Sequence, residues 1–191
     1  MDAVAPDALI EDAAKKSGLI WVRATGLARG VGPGREQPVW HVWQDGAVYV
    51  LTGGLEQPAP GGIDELPAPD SDGDGAGPRA IVTARGKDGN SRLLTFEVSV
   101  ARVPAGSEEW DALVPALVAK RLNLPDGEAV PQRWANECTL WQLRPTGTVI
   151  ETAGDPSTES HAAAPPPTPA RSRVPRPWHL RGRPARNRGG H

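Results

Sequence analysis

The sequence predicts a mainly β, α+β domain: a small barrel of antiparallel strands with accessory helices, followed by a disordered C-terminal tail. Three observations carry this expectation. Short runs of β-branched and aromatic residues are separated by turn signals, including Asp45-Gly46 and Asp88-Gly89. Helical periodicity is confined to the margins of that β region. From Thr146 onward Pro, Ala, Ser, Thr and Arg dominate, and such a segment cannot bury enough apolar surface to offset its ordering entropy.

The elements follow in order. Residues 7–16 form a helix with Leu9, Ile10, Ala13 and Ala14 on one face, lysines at its end and Gly18 as a left-handed stop. Leu19–Thr25 is a strand, and the glycine-rich stretch from Gly26 is a loop. Pro38–Trp43 and Ala47–Thr52 are strands joined by a tight Asp-Gly turn. Residues 55–78 are a long Pro- and Gly-rich loop with a helical turn near Ile63–Leu66. Arg79–Arg85 and Ser91–Val103 form a second hairpin, the latter alternating Leu94, Phe96, Val98 and Val100 with polar residues. Ser107 caps a helix with Trp110, Leu113, Val114, Leu117 and Val118 on its apolar face. Pro115 predicts a kink or restart there, and Asn123 marks the end. Pro131–Glu137 is a short helix and Thr139–Leu143 the last strand. The expected division is a folded domain over residues 1–148 and a basic tail over 149–191.

Charge supports that division. The segment through Glu159 holds all 23 acidic residues against 14 basic ones; the remainder holds seven Arg and no acid. A basic tail with one Trp could attract nucleic acid or acidic surfaces without sequence specificity; an inert extension is the preferred reading. No apolar run reaches the length of a membrane span, and the early acids do not suit a secretory leader, so a cytoplasmic protein is expected. The single cysteine, Cys138, can build neither an internal disulfide nor a multi-cysteine zinc site, and is expected to be a small, partly buried side chain rather than a nucleophile.

Two motif-like strings do not survive inspection. Asp70, Asp72 and Asp74 followed by Gly75 match the opening of a calcium loop, but Ile81 stands where the closing bidentate Glu is needed. The glycines from Gly26 to Gly34 follow a strand without the Lys-Ser/Thr or the helix that a phosphate loop requires. No metal site is expected.

The stretch PVWHVWQDGAVYVLTGG, Pro38–Gly54, is the most informative. Alternation places Trp40 with Val42 on one face, and His41 with Trp43 on the other. One Trp therefore meets something other than the barrel interior. For His41, the only His before residue 161, packing in the core is the default and a ligand contact the alternative.

This hairpin, with Pro38, Trp40, Val42, Trp43, Asp45-Gly46, Tyr49 and Thr52, resembles the pyridoxamine 5'-phosphate oxidase-like, FMN-binding split-barrel family, in a divergent, actinobacterial-type form. The resemblance spans about residues 5–145. It implies a split-barrel homodimer with FMN, or the deazaflavin F420, at the dimer interface, acting on a small-molecule redox substrate. Hydride chemistry would come from the cofactor, and no catalytic acid or base is assigned. It further implies that Trp40, His41 and Trp43 lie at the ring, and Thr52, Gly53 and Gln57 at the ribityl-phosphate end.

One departure bears on that expectation. The family places Ser/Thr and Lys/Arg after the strand ending here at Thr52, but no Lys or Arg occurs from Val39 to Pro78, and Glu56 would repel a phosphate. Backbone N–H groups of Gly53 and Gly54, or Arg85 or Arg92 from another strand, are the available substitutes. Two readings follow: a flavin- or deazaflavin-dependent oxidoreductase, or a cofactor-free split-barrel binding protein that has lost the phosphate site.

Overall fold

The computed structural model describes residues 6–25, 35–66, 77–87, 91–121, 124–125 and 127–153. The acidic string Asp70–Gly75, the loop Gly26–Gly34 and the basic tail from Gly154 lie outside them. Among the described residues the elements are α1 (Pro6–Lys16), β1 (Ile20–Thr25), β2 (Gln37–Val39), β3 (Val42–Gln44), β4 (Ala47–Gly53), β5 (Arg79–Arg85), β6 (Arg92–Val103), α2 (Glu108–Lys120), α3 (Val130–Glu137) and β7 (Cys138–Thr152). One-turn 3-10 helices occupy Ile63–Glu65, as expected, and Gly127–Ala129.

Seven strands form one sheet in the order β2-β1-β5-β6-β7-β4-β3, every pairing antiparallel. The two outermost strands, β2 and β3, are separated in sequence only by Trp40 and His41. A chain extends at most about 3.5 Å per residue, so opposite ends of the sheet lie within about 10 Å there. The sheet must therefore curl on itself. This is the predicted barrel, split where the chain passes from one edge to the other.

That passage revises one expected element. Pro38–Trp43 is not one strand: Trp40 and His41 leave the ladder between β2 and β3. The hairpin after it is as expected. Asp45 and Gly46 both have positive φ (48° and 74°), the two-residue turn whose twist suits adjoining strands.

Two apolar clusters sit on either side of the wall. Inside, Val48, Val50, Ile20, Val22, Val82, Phe96, Val98 and Leu143 pack with Ile10, Ala13 and Ala14 of α1. Outside, Ala47, Tyr49, Leu51 and Leu140 pack beneath Trp110, Leu113 and Leu117 of α2 and Val130 and Trp134 of α3. β4 is thus buried on both faces, which is why AVYVLT reads as a continuous apolar run. Truncating a buried aromatic such as Trp134 to Ala would cost about 3–5 kcal/mol.

Three expectations need adjustment. Leu9 is 41% exposed; α1 turns Ile10, Ala13 and Ala14 inward, with Ser17 beside them. α2 runs through Pro115 without interruption and ends at Lys120, with Arg121 as its cap. Pro115 is exposed, so its ring displaces nothing in the core. Ser107 caps the helix as anticipated, its Oγ accepting from Trp110 N–H at 3.2 Å. β7 continues to Thr152 rather than stopping at Leu143, past the expected domain edge at 148. Gly147, with φ +82°, and register shifts around Phe96 let the β6–β7 ladder absorb Pro145 and resume.

Candidate functional site

Three local arrangements account for the six residues singled out from the sequence. The first surrounds Trp40. Its backbone N–H donates to Gln57 Oε1 at 2.8 Å, and Gln57 Nε2 donates to Trp40 O at 2.9 Å and Leu51 O at 3.1 Å. The Gln57 amide thus supplies the pairing that a strand residue would give, where the chain crosses between sheet edges. Trp40 itself packs with Val42 against the outer cluster. Trp43 packs against the inner one, so the alternation expected for this hairpin holds.

The second arrangement lies at the end of β4. Thr52 is buried; its Oγ1 accepts from Trp141 Nε1 at 3.0 Å and donates to Thr139 O at 3.4 Å. Gly53 N–H donates to Gln57 O, and Gly53 O accepts from Glu56 N–H, both at 2.9 Å. Gly53 has φ +97°, and a Cβ there would stand 2.9 Å from Glu137 O, so glycine is required. The turn folds the Glu56 side chain inward, leaving it 2% exposed. Its Oε2 accepts from Arg121 Nε at 2.8 Å. Its Oε1 accepts from Arg133 Nη2 at 3.1 Å and from Trp134 Nε1 at 3.0 Å. Burial alone would raise the Glu56 pKa; the indole and the two guanidinium donors outweigh it and hold the carboxyl below its ordinary value.

Most of the groups named for a flavin phosphate at this end of β4 already have partners of their own. Gly53 N–H, Thr52 Oγ1 and the Gln57 amide are all engaged within the chain. The nearby guanidiniums hold a carboxylate of their own. Of the two other arginines considered from the sequence, Arg92 pairs with Glu151 at 2.7 Å, and Arg85 stacks over Trp21, 4.8 Å from its ring centre, with its Nε buried and unpaired among the described residues. The arginine cluster was not legible beforehand, because Arg121 and Arg133 lie 65 and 77 residues beyond Glu56. Its signal was Glu56 itself, an acid in a turn of otherwise uncharged residues.

The third arrangement is a groove of about 420 Å³ between α1, β3 and α2, lined by Ala14, Lys15, His41, Trp43, Ala116 and Lys120 among others. Ala14 and His41 are buried, whereas the lysines are exposed. His41 Nε2 donates to Ala14 O at 2.9 Å. That carbonyl is in the last turn of α1, where helix carbonyls lack helical partners, so His41 caps the helix from another element. A carbonyl can only accept, so Nε2 carries the proton and Nδ1 is a bare acceptor; it is buried without a hydrogen-bond partner among the described residues. Desolvation, with a smaller contribution from the Lys120 charge, lowers the His41 pKa to about 4, and the imidazole is neutral.

Cys138 donates its thiol to Gly53 O at 3.4 Å. Burial, aided by the Glu56 charge, pushes its pKa up to about 11, which keeps this partly buried thiol protonated at neutral pH. No group of three or more His, Cys, Asp or Glu among the described residues could hold a metal ion. No helix among them is long and apolar enough to cross a membrane.

No known family model and no curated protein matches this sequence. Solved structures of similar fold include HutZ, the haem storage protein of Vibrio cholerae, at 13% identity and TM-score 0.49, covering 74% of this chain and 90% of that one. A putative pyridoxamine 5'-phosphate oxidase from Listeria innocua follows at 10% identity and TM-score 0.47, covering 75% and 95%. An FAD-binding protein from Mesorhizobium loti has 13% identity and TM-score 0.43, covering 73% and 87%. The assignment to an antiparallel split barrel rests on this chain's own strand order and closure.

Proposed function

We propose that this chain is a divergent split-barrel protein, related to the pyridoxamine 5'-phosphate oxidase-like family, that acts as a binding module and does not hold FMN or F420 by a phosphate site at the end of β4. The observation carrying this reading is the buried Glu56 carboxylate. It accepts from two arginines and an indole beside the turn where the family resemblance places the cofactor phosphate. A dianion brought there would have to displace Glu56 from donors that it already satisfies, and the displaced carboxylate would lose its buried partners.

Binding in this reading belongs to the groove beside His41 and Trp43. The same resemblance extends the proposal to a homodimer. The test is the visible absorbance of the purified chain. A colourless protein supports the reading. A flavin or deazaflavin band at one cofactor per chain overturns it.

A further inference from the structure

The groove has features that together specify a ligand class. Its volume, about 420 Å³, lies toward the lower end of the usual range for small-molecule sites. Its wall carries Trp43, half-buried and packed against the inner cluster. Its rim carries one ammonium from each helix. Lys15 pairs with Glu11, whereas Lys120 has no ion-pair partner among the described residues. No acidic residue lines the groove.

β3 adds backbone polarity. It is the last strand of the sheet, so one of its sides has no neighbouring strand. Gln44 and Ala47 flank the two-residue turn and form a hydrogen-bonded pair. The next pair, Trp43 and Val48, is therefore non-hydrogen-bonded, and the Trp43 N–H and C=O point away from β4. His41 supplies a buried acceptor, Nδ1, that has no hydrogen-bond partner among the described residues. Such atoms are rare in native folds and call for a donor.

Resting on the reading of this chain as a binding module, we propose that the α1–β3–α2 groove takes a compact one- or two-ring aromatic carboxylate that also carries an N–H or O–H donor. The ring lies on Trp43, the carboxylate meets Lys120 at the rim beside Lys15, which also pairs with Glu11, and the donor reaches His41 Nδ1 once the side chains covering that buried atom shift. A neutral His41 is required for the last contact, and its burial keeps it neutral. The two lysines select against cationic and neutral analogues; the unpaired Nδ1 selects against acids lacking a donor.

Calorimetric titration of the full chain tests this with four probes. Indole-3-acetate and 4-hydroxyphenylacetate have the charge and the donor, phenylacetate lacks the donor, and tyrosol lacks the charge. The first two should bind at least about tenfold more tightly than the last two, and Lys120→Ala, at an exposed position, should weaken them about tenfold. Trp43→Leu, checked for folding by near-ultraviolet circular dichroism, should abolish binding. No heat from either donor acid, or affinities that Lys120→Ala leaves unchanged, would overturn the proposal. FMN titrated into the same samples reads the module hypothesis separately. FMN binding indifferent to Lys120→Ala would defeat that hypothesis while leaving the groove result to stand on the four probes.

Discussion

Arg121 Nε stands 2.8 Å from Glu56 Oε2, joining the cap of α2 to the turn after β4. With Arg133 and Trp134 of α3 on the other oxygen, three segments distant in sequence converge on one carboxylate. Removing one member of a buried ion pair leaves the other charged and unmatched. Glu56→Ala should therefore cost about 3 kcal/mol in urea denaturation. Glu56→Gln, which keeps an acceptor but loses the charge, should fall between the variant and the parent. Stability of Glu56→Ala within experimental error of the parent would contradict the clamp.

The Gln57 amide is a substitute strand residue, and its test separates donor from acceptor. Gln57→Glu retains an acceptor for Trp40 N–H but cannot donate to Trp40 O or Leu51 O. Each unsatisfied group costs about 1–3 kcal/mol, so this near-isosteric change should lower the melting temperature by several degrees. An unchanged melting temperature would show that the split in the barrel is held by other contacts.

How much of this was legible in the sequence follows from where each signal resides. Local signals were readable: Ser107 as a cap, Asp45-Gly46 as a turn, and the division of Trp40 from Trp43 by alternation. Each depends on residues within a few positions. The break at Trp40–His41 was not, because it exists only with Gln57 folded against it, 17 residues on. The extension of β7 past Leu143 was hidden because Arg144, Pro145, Thr146 and Gly147 have loop composition, and the ladder survives by shifting register against β6. At the site, Glu56 is legible as a charge unfavourable to a phosphate, but its inward turn depends on two distant arginines. His41 was legible as a core histidine, yet nothing local identifies the carbonyl of Ala14 as its partner.

His41 gives the fold a pH dependence with a defined sign. Its pKa is about 4 in the native chain and near 6.5 when unfolded, so between these values the unfolded chain binds more protons. Stability should fall as pH drops from 6.5 toward 4, by about 3 kcal/mol from this residue. His41→Gln, which can still donate to Ala14 O, should flatten that part of the curve in urea denaturations across the range. Equal slopes for parent and variant would contradict a neutral, buried His41.

Cys138 should be a slow thiol. A pKa near 11 against about 8.5 for a free cysteine predicts alkylation by iodoacetamide at pH 8 about 100-fold slower than for a model thiol. Unfolding in urea should restore ordinary reactivity. Rapid alkylation of the native chain would place the thiolate, not the thiol, beside Gly53 O.

In the proposed function the chain's own carboxylate closes the end of β4 to a flavin phosphate. The most direct measurement is the shift in melting temperature of the purified full chain on adding FMN or F420 in large excess. No shift with either cofactor is predicted, since a ligand stabilises a fold only when it binds the native state. A rise of several degrees that saturates at one FMN or F420 per chain would contradict it.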